Sequence, residues 1–437
     1  MSPFNPKQET SPILPLPRGG RVGSFGHLLL LLILIMITTG TAVAQDDWLD
    51  LLDKSLFLQS SDESVRTDLS GLMDLEAFYI DQRAPGFIAT DDPLYLNPRL
   101  TFFLDTRIGQ HLYSFVQARV DTGFDPAYED HTSGDFLDAR ADEYFLRYTP
   151  FEDARLNLQV GKSATVVGNW VARHDSWNNP LITAPLPYEN ISIVTDHITP
   201  ATQAGFLARR NQPDQKSLWV PVIWGPSYAT GASVFGQIHE FDYAVEVKNA
   251  SLSSRPATWE NHTAIEDTPT FSGRFGCRPD PAWNVGASAS YGSYLQSGAS
   301  GSLPTGKDLM DFNQITVGQD FSYAWRHWQF WGELFLSRFE VPRAGNTDTA
   351  AYYLEARYKI TPELFLAARW NQQFFGEVAD GTGGTQRWDR DIWRMETGIG
   401  YRFSRHLQAK LQYNYSHQNG PFQQGEQFVA AQITARF

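Results

Sequence analysis

The 437-residue chain has 19% charged and 14% aromatic residues with a negative mean hydropathy, which excludes a helical-bundle membrane protein without excluding a membrane. Its net charge of −14 makes nucleic acid an unexpected partner. The single cysteine, Cys277, has no partner for an internal disulfide and reads as a small packing residue.

The first recognisable element is an apolar run from Leu28 to Ile37, preceded by Arg18 and Arg21 and followed by Ala42-Val43-Ala44. This order matches a secretory signal peptide with an A-x-A cleavage site, so residues 1–44 are set apart from the fold. An uncleaved anchor helix is the alternative, disfavoured by the short run and the small residues after it. The basic region is longer than a signal peptide needs, which leaves a downstream start codon open. Removing residues 1–44 takes away Lys7, Arg18, Arg21 and Glu9 and moves the net charge from −14 to −16.

Residues 45–68 form an N-terminal periplasmic segment. Trp48, Leu49, Leu51, Leu52, Leu56 and Leu58 fall at helical spacing between Asp46 and Asp62, and predict a short amphipathic helix. From Leu69 to Phe437 the chain is a succession of alternating segments, the period-two signature of strands with one dry and one wet face. Phe241, Tyr243, Val245 and Val247 oppose Asp242, Ala244, Glu246 and Lys248; Tyr352, Leu354, Ala356 and Tyr358 oppose Tyr353, Glu355, Arg357 and Lys359. In Leu407 to Tyr415 the dry set is Leu407, Ala409, Leu411, Tyr413 and Tyr415, and the wet set includes Lys410 and Gln412.

Alternation alone does not separate a soluble sandwich from a membrane barrel. The rhythm of the connections does. Short turns at Gly109-Gln110, Pro150–Ala154, Gln237–His239, Arg278–Ala282, Arg326-His327, Thr361–Glu363 and Ser404-Arg405 alternate with longer loops. Those loops lie around Arg83–Pro93, Thr122–Leu137, Ser163–Ser227, Ser251–Pro269, Gln296–Asp311, Arg343–Asp348, Gly376–Trp388 and Asn419–Gly425. The reading is an all-β fold over 69–437: a transmembrane antiparallel up-and-down β-barrel of sixteen strands, with tight turns at one rim and extended loops at the other. Gln203–Arg209 and Leu218–Trp224 are also strand-like and would make eighteen; sixteen is preferred because 163–227 then becomes one long third external loop. The final strand places Val429, Ala431, Ile433, Ala435 and Phe437 on one face, and its terminal phenylalanine looks like the signal read by the bacterial barrel-assembly machinery.

Gly71–Tyr79, Arg99–Asp105, Tyr113–Asp121, Glu143–Tyr148 and the run Leu156-Asn157-Leu158-Gln159-Val160-Gly161-Lys162 resemble the opening of the phosphate-selective porin (porin O/P-like) family over about a third of the chain. The resemblance implies an outer-membrane homotrimer whose third loop narrows the pore and whose basic side chains draw in anions. Here that loop balances Arg173, Arg209, Arg210 and Lys216 against Asp175, Glu189, Asp196 and Asp214. The architecture is carried over and the phosphate specificity is not.

A water-filled barrel lines its interior with polar groups, which gives Arg99, Asp105, Arg119, Glu143, Arg147, Glu355, Arg357, Arg394, Glu396 and Arg402 as lumen-facing candidates. The same charges would equally serve to fill and stiffen the wall. The densest polar and aromatic cluster of the long loop, Arg173, His174, Asp175 and Trp177, is expected at the constriction together with Arg209 and Arg210; an ordinary solvated loop is the alternative. No G-x-S-x-G or H-E-x-x-H occurs, and Asp380-Gly381-Thr382-Gly383-Gly384 lacks the Lys-Ser/Thr of a phosphate cradle. No cofactor, metal or catalytic set is therefore expected. A bacterial outer-membrane porin passing small hydrophilic solutes or ions is the leading reading. An exporter of an anionic polysaccharide, a barrel enzyme and a sheath around an electron carrier are the alternatives. The sequons Asn249-Ala250-Ser251 and Asn261-His262-Thr263 are read as coincidental.

Overall fold

The computed structural model describes residues 55–81, 93–121, 138–212, 218–256, 268–420 and 425–437. The signal-peptide assignment at 1–44 lies outside the described residues.

Sixteen strands form the wall: β1 Val65–Ile80, β2 Leu94–Ile108, β3 Leu112–Asp121, β4 Asp138–Tyr148, β5 Asn157–Ser163, β6 Ala229–Ile238, β7 Phe241–Lys248 and β8 Thr270–Cys277. The second half comprises β9 Trp283–Ser293, β10 Asn313–Trp325, β11 Trp328–Val341, β12 Gly345–Lys359, β13 Leu364–Phe375, β14 Ile392–Arg402, β15 Leu407–Gln418 and β16 Gly425–Arg436. Each pairs antiparallel with the next, and β16 returns to β1 from Phe428↔Ile80 to Arg436↔Leu72, which closes the barrel. At this seam Phe437 and Gly71 exchange backbone hydrogen bonds of 2.9 and 3.1 Å. A Cβ on Gly71 would collide with the Phe437 ring, so the glycine makes room for the terminal aromatic.

The side chains sort as a lipid-embedded barrel requires, because hydrocarbon penalises exposed charge and a closed ladder leaves no unpaired backbone edge. Val245 and Leu354 are 59% and 52% exposed, whereas their neighbours Glu246 and Glu355 are 3% and 2% exposed, and Lys410 is 2%. The apolar set faces outward and the charged set faces the barrel axis. A soluble sandwich would reverse this.

Tight turns at the rim where β1 begins and β16 ends are made by residues in left-handed backbone, Gly109 (φ 61°), Ala154 (52°), His239 (54°) and Arg326 (54°). The connection after β11 is shorter than its sequence indicates: Arg343 (φ 62°) and Gly345 (φ 86°) close it within three residues, and Gly345–Asp348, expected as loop, begin β12. The candidate extra strand Gln203–Arg209 is instead an α-helix over Gln203–Ala208, capped by Thr202 Oγ1, which accepts from Gly205 N at 3.0 Å. Leu218–Trp224 contributes only the isolated bridge Ser192↔Val220. The barrel has sixteen strands and not eighteen.

The amphipathic helix expected over Asp46–Asp62 is replaced, in its described part, by a strand Phe57–Gln59 that doubles back on β1, and β1 starts at Val65, ahead of Leu69. The turn wins locally because Asp62 Oδ1 accepts from the Ser60 and Ser64 hydroxyls at 2.6 and 2.9 Å and from Ser64 N at 3.2 Å.

Candidate pore constriction

The third loop, between β5 and β6, folds into the barrel and docks on the inner faces of β7 and β9 to β15. A buried charge must find a partner. Here the wall and the loop supply one another. Arg173 Nη1 donates to Glu355 Oε1 at 2.6 Å, Arg369 Nη1 to Glu355 Oε2 at 3.0 Å, and Arg369 Nε to Glu396. Arg394 Nε reaches Glu396 Oε1 at 3.2 Å, and its Nη1 pairs with Glu189. The chain Arg173–Glu355–Arg369–Glu396–Arg394–Glu189 thus begins and ends on the loop and crosses β12, β13 and β14 between. It carries no net charge.

Four further wall residues anchor the loop. Lys410 Nζ donates to the carbonyls of Ser176, Asn179 and Leu181 at 2.8, 3.0 and 3.2 Å. Glu333 accepts from Trp170 N at 2.9 Å, from Tyr188 Oη at 2.6 Å and from Asn169 N. Asn371 Oδ1 accepts from Leu186 N at 3.1 Å, and Asn190 Nδ2 donates to Gln373 Oε1 at 2.8 Å. Gly168 (φ 79°) turns the chain where a side chain would strike Tyr188 and Glu333. The loop also brings an apolar core into the barrel: Leu186, Ile193, Phe206, Val220 and Trp224 pack with Phe339, Phe375 and Trp388. These contacts hold the loop as a seated body.

The wall formed by β1 to β4 is less covered. Arg99 pairs with Asp74 and Glu76 at 3.1 and 2.6 Å; Arg119 pairs with Asp121 and Asp142 at 3.4 and 3.0 Å; Arg140 pairs with the same two at 3.4 and 3.3 Å. The three guanidinium side chains stay 15–22% exposed, while the carboxylates behind them are at most 2% exposed. A β-bulge opposite Gln117/Ala118 inserts Asp142 into β4 and puts its carboxylate beside both arginines. The loop touches this side through Tyr228, whose hydroxyl meets Gln117 Nε2 at 3.3 Å and His174 Nε2 at 2.7 Å.

The six residues expected at the constriction do not converge. Arg173 is consumed by Glu355 and by the face of Trp331, 4.4 Å from its Cζ. His174 uses both ring nitrogens, on Val171 O and Tyr228 Oη, and burial pushes its imidazole below the ordinary pKa. Asp175 caps its own turn through Trp177 N and Asn178 N, both 2.9 Å. Trp177 is buried beneath Arg402 and Arg436, whose Cζ atoms lie 5.3 and 4.6 Å from its ring. Arg209 binds Ile193 O and Thr195 Oγ1 at 3.2 and 3.0 Å. Arg210 reaches the hairpin of Glu377–Ala379 and Thr385–Arg387 in the loop after β13, through Arg387 O at 2.6 Å and Gln386.

Of the lumen candidates, Arg99, Arg119, Glu355, Arg394 and Glu396 enter the ion networks above. Asp105 accepts from the Tyr113 hydroxyl. Arg147 donates to Gln159 Oε1 at 2.9 Å and lies on the rings of Tyr113, Phe145 and Phe235. Glu143 stands opposite Gln117; Arg357 lies 4.3 Å over Phe365, and Arg402 donates to Gln408 at 2.9 Å. Sequence reasoning left out Asp74, Glu76, Arg140, Asp142, Glu333 and Arg369, and placed Lys410 on a wet face without naming it as a lumen candidate. Strand parity would have found Arg369, whereas the bulge hides Asp142.

No family model and no curated protein matches the chain. Among solved structures it is similar to OmpF of Salmonella typhi in complex with daunomycin, at 12% identity and a TM-score of 0.54, over 87% of this chain and 100% of that one. It is also similar to the outer membrane channel DcaP of Acinetobacter baumannii, at 11% identity and a TM-score of 0.54, over 87% and 99% of the two chains. An anion-selective porin from Comamonas acidovorans matches at 12% identity and a TM-score of 0.52, over 85% and 100%. The chain has the closed sixteen-stranded barrel fold of these outer-membrane proteins.

Proposed function

We propose that the chain is a bacterial outer-membrane diffusion channel for small hydrophilic solutes or ions, with its narrowest part between the seated third loop and the β1–β4 wall. The observation that carries this reading is the arginine row Arg99, Arg119 and Arg140, whose side chains stay 15–22% exposed while Arg369, which clamps the loop, is fully buried. Fixed charges facing water lower the barrier for ions to cross a low-dielectric wall. Because the carboxylates sit directly behind the guanidiniums, the field is local and selectivity is modest.

The affiliation with the phosphate-selective porins belongs to this proposal, as do the homotrimer, export behind residues 1–44 and use of Phe437 as assembly signal. A polysaccharide exporter would need a continuous basic interior, and alternating Arg and Glu along the wall weighs against it. We read the chain as non-enzymatic. Refolded protein in a planar bilayer under a potassium chloride gradient tests the reading. It predicts ohmic unitary steps, and a reversal potential that shifts toward cations in Arg119→Glu. Absence of steps would overturn it.

A further inference from the structure

Inward-facing aromatic side chains of the wall meet two fates. Phe335, Phe339, Tyr353 and Phe375 are buried under the third loop, within the apolar clusters it forms with the wall. Phe103 on β2, Tyr113 and Phe115 on β3, Phe145 on β4 and Phe235 on β6 belong to no such cluster and stay half-buried. Their strand neighbours Leu104, Leu112, Leu146 and Val234 are exposed on the lipid face, so alternation turns these rings toward the barrel axis. They share this face with the arginine row, Phe103 following Arg99 on β2 and Phe115 preceding Arg119 on β3, on the side of the short turns.

The rings form one array. Phe115 is its centre, with ring centroids 5.4 Å from Phe145, 6.2 Å from Phe103 and 6.5 Å from Tyr113, and with its plane 20° and 16° from those of Phe103 and Tyr113. Arg147 lies over Tyr113, Phe145 and Phe235 at 5.3, 5.1 and 4.9 Å and closes that side of the array. The polar groups interleaved with the rings are engaged with one another: Asp105 accepts from the Tyr113 hydroxyl, and Gln159 Oε1 accepts from Arg147 Nε and Nη2 at 3.1 and 2.9 Å. On the side of Phe103 and Phe115 a solute therefore meets chiefly ring surface. A contiguous apolar patch facing water marks a place where something binds.

We infer that Phe103, Phe115 and Phe145 form a stacking subsite for small solutes that carry an aromatic ring, set between the arginine row and the short-turn mouth. Ring pairs prefer offset or edge-on contacts with centroids about 4.5–7 Å apart. The array is already built at that spacing, so a solute ring extends the series. A sugar would need hydroxyl partners, and Asp105 and Gln159 are taken. The subsite rests on the channel reading and deepens it by naming a solute class: a ring-bearing solute is retained past the arginine row, and an aliphatic one of equal charge is not.

The test titrates refolded full-length protein with phenylalanine and with alanine, zwitterions that differ by one phenyl ring, so that net charge plays no part. In planar bilayers phenylalanine should reduce potassium chloride conductance saturably, and alanine should not. In Phe103→Leu/Phe115→Leu, which keeps apolar bulk but removes two ring faces, the half-blocking concentration should rise on the order of tenfold, with Phe275→Leu, on the lipid face, unchanged. Saturation-transfer NMR in detergent reads the same contact without a current: the phenylalanine ring protons should receive signal from the wild-type protein and lose it in the double variant. Transfer without conductance would sink the channel and leave the subsite standing. Should the double variant fail to refold, the single change Phe115→Leu serves. Equal effects of phenylalanine and alanine, equal effects in wild type and variant, or block by maltose in place of phenylalanine would overturn the subsite.

Discussion

Arg369→Met tests how the third loop is held. Arg369 is fully buried and joins Glu355 at 3.0 Å to Glu396, while its Nη2 donates to Thr183 O on the loop at 2.8 Å. Removing one partner of a buried ion pair costs about 3–5 kcal/mol, because the remaining charge stays buried without compensation. Here both carboxylates keep other partners: Glu355 retains Arg173, and Glu396 retains Arg394, Thr183 Oγ1 at 2.7 Å and Asn371 Nδ2 at 2.9 Å. The expected loss is therefore at the lower end, about 3 kcal/mol. The assay is denaturant unfolding from detergent micelles, run as a double-mutant cycle with Glu396→Gln. Neutralising the stranded carboxylate should recover part of the loss, with a coupling of about 1–3 kcal/mol. A loss below about 1 kcal/mol, or strictly additive variants, would refute the clamp, since that is the range of a solvent-exposed pair.

Three further outcomes are expected. Leu354→Arg, on the outer face, should lower the stability of refolded protein in bilayers by about 2–4 kcal/mol if the site is near the midplane; unchanged stability would remove Leu354 from acyl chains. Burial disfavours charge on His174 and outweighs its hydrogen bond to Val171 O, so its folded pKa lies below the unfolded one. The folded state then binds fewer protons than the unfolded one as pH falls from the ordinary imidazole value toward the depressed one, and stability drops across that window. His174→Gln should flatten this acid-side slope in thermal unfolding, and an unchanged slope would assign the pH dependence elsewhere. Gly71→Val should displace the Phe437 ring from the closing seam and slow the appearance of the heat-resistant folded band on gels; wild-type kinetics would show that the seam tolerates a side chain.

Strand alternation made the barrel legible because Glu355, Arg357 and Lys359 on β12 and Gln408, Lys410, Gln412 and Asn414 on β15 alternate with apolar or aromatic neighbours, and turn length alternates between the rims. The connection at Arg343 escaped because polar residues such as Asn346 and Asp348 continue β12 to its end, where loop composition and strand composition coincide. The segment at Phe57 escaped because six apolar residues at helical spacing fit an amphipathic helix, while the turn at Asp62 depends on side-chain-to-backbone bonds. The candidate site was legible only in part. Arg99 and Arg119 follow from parity, but Ser176, Asn179 and Leu181 hold Lys410 through backbone carbonyls and carry no distinctive side chain.

The central claim is that the charged face of the wall borders water inside the barrel while the apolar face meets lipid. In a Cys277→Ser background, Arg119→Cys and Leu354→Cys are each exposed to a charged, membrane-impermeant thiol reagent while conductance is recorded. The account predicts that Arg119→Cys reacts and its current changes, whereas Leu354→Cys stays silent. Rapid modification of Leu354→Cys with an inert Arg119→Cys would contradict it.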